Sequence, residues 1–163
     1  MKIIGIDIGT TSICAVVTDA DSGELISSVS APNRAFIASD KPFEKIQDPA
    51  VIMSTVRELI SSLGTHDAAA IGFSGQMHGI LYTDSCGKAV SPLYIWQDER
   101  AAQPYKDGKT YAEFLGCFPG YGLATDFYNE VNGLIPDNAE YLCTIADYAV
   151  MQLCGNSKPV MHI

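Results

Sequence analysis

The sequence predicts an α/β fold whose mixed sheet opens with antiparallel hairpins and carries flanking helices. Two observations predict it. Within residues 3–30 the chain runs as strand, turn, strand, turn and strand, which is the order of antiparallel neighbours rather than of βαβ units. Apolar residues then recur at helical spacing in several later segments, with further short strands between them.

The first three strands are short apolar runs separated by turn residues. Residues 3–7 and 13–18 flank a turn at residues 9–12, and a second turn at residues 19–23 precedes a run at residues 24–30. In dinucleotide-binding units and Walker-type loops the glycine turn leads into a helix, whereas here it leads into another strand. We therefore predict an antiparallel hairpin with residues 9–12 at its tip.

One helix has clear start and stop signals. Asp48 is a typical N-cap, Pro49 a typical first helical residue, and Gly64 a typical C-terminal glycine. The apolar residues between them recur at helical spacing: Val51, Ile52, Val56, Leu59, Ile60 and Leu63. The preceding residues 32–47 have no clear period and are predicted to form a loop.

The remaining elements follow from the same signals. Further strands are predicted at residues 68–73, 80–83 and 92–96. Further helices are predicted at residues 99–105, 110–117 and 137–154, the last closing at Gly155. Residues 118–136 are rich in Gly, Pro and Asn and are predicted to be irregular.

Composition and charge narrow the classes of protein. The chain has 163 residues, enough for one domain, and its 47% hydrophobic and 18% charged residues are typical of a folded protein. A net charge of −9 without a Lys/Arg cluster argues against nucleic acid and anionic membranes as partners. Phosphate ligands stay open, because backbone amides and a divalent cation can bind them. The sequence has neither a long apolar run nor a signal-peptide pattern, so we expect a cytoplasmic protein.

The cysteines predict reduced, buried thiols rather than disulfides or a zinc site. They are odd in number and form no C-x-x-C pair. Their positions are Cys14, Cys86, Cys117, Cys143 and Cys154.

The first candidate site is a carboxylate followed by a turn of small and hydroxylated residues. Asp7 ends the first predicted strand, and the turn consists of Gly9, Thr10, Thr11 and Ser12. Glycine lets the backbone approach a ligand closely, while successive N–H groups and hydroxyls can surround a phosphate. A carboxylate beside such a turn is suited to bind magnesium directly or through its water shell. The alternative is an ordinary hairpin with a turn aspartate.

Residues 4–12, Ile-Gly-Ile-Asp-Ile-Gly-Thr-Thr-Ser, resemble the first phosphate motif of the actin/Hsp70/sugar-kinase superfamily. The doubled threonine resembles the FGGY carbohydrate-kinase branch. This resemblance implies a ribonuclease H-like fold, ATP and Mg²⁺ as cofactors, Asp7 as the metal-linked carboxylate and residues 9–12 as the phosphate turn. Relatives such as glycerol kinases carry an arginine two residues after the serine. Cys14 occupies that position here, so one nucleotide contact is missing.

A second segment resembles the sugar side of that family. Residues 74–79, Ser-Gly-Gln-Met-His-Gly, are similar to a loop of xylulokinase-like members, which implies sugar contacts from Gln76, Met77 and His78. Glutamine and histidine can bind hydroxyls, and methionine can supply an apolar wall. Without the resemblance, surface or core positions would be the simpler interpretation.

A third segment, residues 94–100, resembles the family's W-x-D-x-R segment. The resemblance implies that the Trp96 ring lies against the carbon face of the sugar. Asp98 and Arg100 could form an ion pair that holds the loop, or could touch a hydroxyl. We assign substrate contact to Asp98 and a supporting role to Arg100. A core tryptophan that ends a strand is the alternative for Trp96.

A weaker match near the C-terminus resembles the D-Y-x-x-x-x-L-x-G helix of sedoheptulokinases and continues to Met161 and His162. Together the matches cover essentially the whole chain but only the start of the family's length. We therefore expect residues 1–163 to be the N-terminal part of the first kinase domain. The resemblance places the catalytic aspartate base and most adenine contacts beyond this chain.

The expected activity is transfer of phosphate from ATP to a hydroxyl of a ketose or polyol, with the sugar and ATP as partners. A seven-carbon ketose and xylulose are the first two choices of sugar, ahead of ribulose and gluconate. An ATPase of the same superfamily and a non-catalytic binding domain stay open. The chain alone is expected to be inactive and to self-associate through apolar surface around residues 118–136.

Overall fold

The computed structural model describes residues 1–160, which form two compact units. The first unit contains residues 1–35 and 50–76, and the second contains residues 36–49 and the chain from Met77 onward. The strands of the described residues are β1 (Lys2–Ile8), β2 (Ser12–Asp19), β3 (Leu25–Pro32), β4 (Phe36–Ile37), β5 (Ile46–Gln47), β6 (Ala68–Gly75), β7 (Leu81–Thr83), β8 (Leu93–Tyr94) and β9 (Tyr141–Cys143). The helices are α1 (Pro49–Ser62), α2 (Tyr111–Leu115), α3 (Gly122–Val131) and α4 (Ile145–Cys154). Met161 and His162, which end the weaker C-terminal match, lie outside the described residues.

A four-stranded mixed sheet forms the first unit, in the order β3-β2-β1-β6. β1 and β2 pair antiparallel up to Ile8 opposite Ile13, and β3 pairs antiparallel with β2. β6 runs parallel to β1, and α1 supplies the crossover that parallel neighbours need. The predicted hairpin with residues 9–12 at its tip is therefore confirmed.

One face of this sheet carries the core of the unit. Side chains along a strand alternate between faces, so Ile4, Ile6 and Ile8 share a face, and each is at most 3% exposed. Buried residues on β2 and α1 complete this core: Ile13, Ala15, Val17, Ile52, Met53, Val56 and Leu59. Each fully buried Ile, Val, Leu or Met side chain of this core stabilises the fold by roughly 1.5–3 kcal/mol. Asp7 lies on the opposite face and is exposed, so the alternation leaves its carboxylate accessible.

Helix α1 begins and ends where its sequence signals predict. Pro49 is its first residue, and Gly64 follows its last turn with a φ of 62°. That left-handed conformation favours glycine because any Cβ atom would be strained there.

Within the described residues, the second unit contains two small antiparallel sheets and the helices α2, α3 and α4. β4, β5 and β8 make one sheet, and β7 and β9 make the other. A buried cluster consists of Ile46, Ile80, Tyr82 and Tyr94. A second buried cluster consists of Ala101, Tyr111, Ala112 and Ala124, with partly buried aromatic residues of the α2 and α3 region packed against it.

The prediction that residues 118–136 are irregular is wrong, because α3 spans Gly122–Val131. Ala124, Phe127, Tyr128 and Val131 follow one another at helical spacing, and Ala124 is fully buried. The Gly and Pro residues on both sides of this segment obscured the pattern. Packing of Phe127 against Tyr105 and Tyr111 supplies tertiary support for the helix.

Three further predictions of secondary structure also need correction. The C-terminal helix begins at Ile145 rather than at residue 137, because Thr144 caps it with Asp147 and Tyr141–Cys143 pairs with β7. The predicted helix at residues 99–105 is one 3₁₀ turn, Arg100–Ala102. The predicted loop at residues 32–47 contains the two-residue strands β4 and β5.

The cysteines are free thiols within the described residues, and most of them are not buried. Only Cys143 is buried, whereas Cys86 and Cys154 are exposed, so burial was wrong for those two. Burial raises the pKa of the Cys143 thiol to about 12. In the part of the chain that the structure describes, no helix is both long and apolar enough to cross a membrane.

Candidate phosphate and sugar sites

The candidate phosphate turn connects β1 and β2 in the first unit. Its first residue, Gly9, approaches the backbone so closely that a Cβ atom there would lie 2.8 Å from the carbonyl oxygen of Ser12. Only glycine fits this approach without a backbone shift. The turn is therefore tight, and Thr10 and Thr11 lie at its tip.

Asp7 lies at the end of β1, directly opposite Ser74 of β6. The Ser74 hydroxyl donates a 2.6 Å hydrogen bond to Oδ1 of Asp7. Among the described residues the second oxygen, Oδ2, has no hydrogen-bond partner, and the residue is exposed. One carboxylate with an available oxygen fits magnesium, which commonly binds one or two carboxylates together with phosphate oxygens and water. No cluster of three or more potential metal ligands occurs in residues 1–160, so this site would depend on such outside ligands.

Asn33 holds the phosphate turn from the end of β3, and sequence reasoning missed it. Its side-chain Nδ2 donates to the carbonyl of Gly9 at 2.9 Å, and its backbone N–H donates to the carbonyl of Thr11 at 2.8 Å. Its Oδ1 accepts from the backbone N–H of Ala35, and the residue is only 6% exposed. In a trans peptide the carbonyl and N–H point in opposite directions, so the Thr10 N–H points away from Asn33. A buried asparagine in a segment without periodicity carries no local sequence signal for this role.

Replacing Asn33 with alanine is expected to raise the KM for ATP about 10-fold in a kinase of full family length that contains this chain. The reason is that the Gly9 carbonyl loses a buried donor and the turn loses its orientation. Steady-state kinetics at saturating sugar would measure the change. Asn132→Ala is the matched control, since its Nδ2 also donates to a backbone carbonyl, that of Tyr128. An unchanged KM for ATP in Asn33→Ala would show that Asn33 does not orient the turn.

Gln76, predicted to contact sugar, belongs to the first unit and bonds to the phosphate turn. Its Oε1 accepts a 3.2 Å hydrogen bond from the Thr10 hydroxyl, and its backbone N–H donates to the carbonyl of Ile8. The next residue, Met77, begins the second part of the other unit. Gln76 therefore bonds to the phosphate turn, and it directly precedes Met77 and His78 in the sequence.

Met77 and His78 are exposed in the second unit. Met77 is 73% exposed, and His78 has a φ of 65°, which is uncommon for a residue other than glycine. The His78 ring stacks on that of Tyr121, with centroids 4.3 Å apart. Both predicted sugar contacts are thus accessible, and His78 holds an unusual backbone conformation of the kind that concentrates at functional sites.

The Trp96 ring is also accessible, at 48% exposed, because it follows β8 and points out of the core. The turn that carries it closes with a hydrogen bond from the Asp98 N–H to the Ile95 carbonyl. The strand was predicted to include residue 96, but β8 ends at Tyr94. This short strand leaves the tryptophan on the turn rather than in the sheet.

Asp98 and Arg100 form a buried ion pair below that turn. Asp98 is fully buried and accepts from Nε of Arg100 at 2.7 Å, from Nη2 at 3.0 Å and from the Lys45 N–H at 2.9 Å. Both carboxylate oxygens are thus occupied by protein donors. The Asp98 side chain is therefore buried and supports the turn, rather than lying at the surface.

The Arg100 guanidinium is the hub of a larger buried network. Nη1 donates to Oδ1 of Asn129 at 2.6 Å, Nη2 also donates to Glu44 at 3.1 Å, and the guanidinium carbon lies 4.0 Å from the Tyr94 ring centroid. Burial disfavours the charged form, but the hydrogen bonds and charge of Asp98 outweigh it, so the pKa of Arg100 lies above its ordinary value. Arg100 is therefore a permanent cation that joins three separate segments of the chain.

Comparisons with known proteins find similar sequences and structures. Residues 2–112 match the model of the FGGY family of carbohydrate kinases, N-terminal domain. The chain is 29% identical over 165 residues to the xylulose kinase of Streptomyces coelicolor, covering 94% of this chain and 34% of that protein. It is 30% identical over 201 residues to the human sedoheptulokinase, covering 97% of this chain and 39% of that protein.

A solved structure shows the same fold. The gluconate kinase of Lactobacillus acidophilus superposes with a TM-score of 0.78 at 23% identity, over 93% of this chain and 32% of that chain. This agreement shows that the chain shares the fold of that kinase, and the predicted α/β fold with a mixed sheet is confirmed. The chain spans between a third and two fifths of the length of these two curated relatives. Because the family model matches more than half of its residues, the chain belongs to the FGGY family of carbohydrate kinases.

Proposed function

We propose that residues 1–163 are the N-terminal part of the first domain of an ATP-dependent, cytoplasmic sugar kinase. The observation that carries the proposal is the exposed Asp7 carboxylate, which accepts from Ser74, beside a phosphate turn that bonds to Asn33 and Gln76. Family membership, through a match of residues 2–112 to the model of the family's N-terminal domain, supports the same assignment.

On the phosphate side, Gly9, Thr10, Thr11 and Ser12 bind the phosphates of ATP through backbone N–H groups and hydroxyls. Asp7 is the residue that would hold Mg²⁺, directly or through water. When bound, the metal neutralises charge on the transferred phosphate. Ser74 keeps Asp7 oriented by its hydrogen bond to Oδ1.

On the sugar side, Met77 and Trp96 supply apolar surface and His78 supplies hydrogen bonds to hydroxyls. Asp98 and Gln76 support the site in different ways. Asp98 holds the turn of Trp96 through Arg100, and Gln76 bonds to Thr10. None of these residues acts as the catalytic base, which we assign to a later segment of the kinase.

The proposed substrate is a ketose, with a heptulose first and xylulose second. The relatives, which include a xylulose kinase and a sedoheptulokinase, support this class of substrate.

A protein of full family length that contains this chain should release ADP from ATP only when such a ketose is present. A panel of sedoheptulose, xylulose, ribulose and gluconate, with mass spectrometry of the sugar phosphate, tests this. Sugar-independent ATP hydrolysis would indicate an ATPase of the superfamily, and no turnover would indicate a binding domain. The 163-residue chain alone should be inactive.

His78→Ala and Trp96→Ala are each expected to raise the KM for sugar about 3- to 10-fold and to leave the KM for ATP nearly constant. Each removes one contact worth roughly a single net hydrogen bond or ring contact. Steady-state kinetics with either substrate varied would measure both constants. His66→Ala, at an exposed histidine of the first unit, is the control and should change neither constant. A selective rise in the KM for ATP would mean that these residues lie on the phosphate side.

A further inference from the structure

A short segment of three residues contacts both halves of the proposed sugar side. A Cβ atom at Gly120 would collide with the backbone carbonyl of Trp96, and a Cβ atom at Gly122 would lie 2.9 Å from the carbonyl oxygen of His78 and 2.5 Å from Cγ2 of Ile80. The two glycines therefore allow the backbone to pack directly against the segments that carry Trp96 and His78. Tyr121 lies between them.

Within the described residues, the aromatic ring that packs against His78 is that of Tyr121. The two rings stack with centroids 4.3 Å apart and an interplanar angle of 20°. Among residues 1–160 the imidazole has no hydrogen-bond or ionic partner, so stacking is what orients it. The backbone of His78 is also in the left-handed region, which is uncommon for a residue other than glycine.

The stacked pair borders a cavity of about 400 Å³ on the second unit. Its lining consists of His78, Leu115, Cys117, Tyr121, Gly122 and Leu123. Phe118 contacts Tyr121 from elsewhere, with ring centroids 5.7 Å apart, and is 71% exposed. The Tyr121 ring therefore makes two separate ring contacts, one with His78 and one with Phe118.

We propose that Tyr121, seated between Gly120 and Gly122, is the positioning residue that orients His78 toward the sugar. This inference rests on the proposed function. It adds to the sugar side a residue, Tyr121, that is distant in sequence from residues 74–79 and 94–100. An exposed histidine that is already oriented loses less side-chain freedom when a hydroxyl binds. Tyr121 acts through His78 rather than on the reacting atoms.

The first test measures the orientation itself, without any activity. In the 163-residue chain, the ring-proton NMR shifts of His78 should report the ring current of Tyr121. Tyr121→Leu should move these shifts toward the values of an unstacked histidine, and Tyr121→Phe should retain them because it keeps the ring. Phe118→Leu is the matched control, since Phe118 contacts Tyr121 but not His78. Unchanged His78 shifts in Tyr121→Leu would overturn the inference.

The second test uses the kinase of full family length. Tyr121→Leu should raise the KM for sugar about 2- to 10-fold with the KM for ATP unchanged, and Tyr121→Phe should restore it. The double variant with His78→Ala should be no worse than His78→Ala alone, because both changes act through one side chain. Fully additive effects would overturn the inference. Absence of turnover in the unmutated protein would instead overturn the proposed function, and the NMR result would stay separate from it.

Discussion

Replacing Asp7 with asparagine in a kinase of full family length that contains this chain is expected to lower kcat about 10²–10³-fold. Asparagine retains an oxygen that can accept from Ser74, so the end of β1 should keep its geometry. What is lost is the negative charge at the available oxygen, where we propose that Mg²⁺ binds. The effect should appear in turnover, because that charge acts on the phosphate during transfer, and the KM for sugar should change little.

The control for this substitution is Asp19→Asn, at the far end of the same hairpin. Asp19 also ends a strand, but its carboxylate bonds to the backbone N–H groups of Asp21 and Ser22 and to the terminal amino group. These bonds hold the pKa of Asp19 at about 2. Its replacement should leave kcat unchanged. Unchanged turnover in Asp7→Asn as well would show that Asp7 is only a turn residue.

Replacing Arg100 with methionine is expected to lower the free energy of unfolding by about 3–5 kcal/mol. The substitution leaves the fully buried Asp98 carboxylate without its cation. It also leaves the side-chain amide oxygen of Asn129, Oδ1, without the donor that lies 2.6 Å away. Removing one partner of a buried pair is costly because the remaining charge is not solvated. Urea unfolding of the 163-residue chain, followed by tyrosine and tryptophan fluorescence, would measure the loss.

Two further variants separate the buried charge from other effects of the substitution. Arg57→Met changes an exposed arginine of α1 and should alter the free energy of unfolding by less than about 0.5 kcal/mol. Asp98→Asn combined with Arg100→Met removes both charges and should be more stable than Arg100→Met alone. A loss below about 1 kcal/mol in Arg100→Met would contradict the idea that this pair holds the Trp96 turn.

The fold was most predictable where local chemistry decides it. Strand–turn–strand order identified the β1–β2 hairpin, and the proline and glycine signals identified both ends of α1. The same signals failed between residues 118 and 136, where Gly and Pro surround α3. There the helix depends on packing of its aromatic residues against Tyr105 and Tyr111, which no local pattern reveals.

For the site, the sequence by itself identified the turn at residues 9–12 and the carboxylate beside it as candidates, and its family resemblance singled out the segments with His78 and Trp96. These depend on residue type and on neighbours along the chain. Only the tertiary structure decided which of these side chains are available to a ligand. It buried Asp98 against Arg100, bonded Gln76 to Thr10, and brought Asn33 and Tyr121 to residues 24 and 43 positions away. Such contacts form because packing brings distant segments together, so residue spacing carries no signal for them.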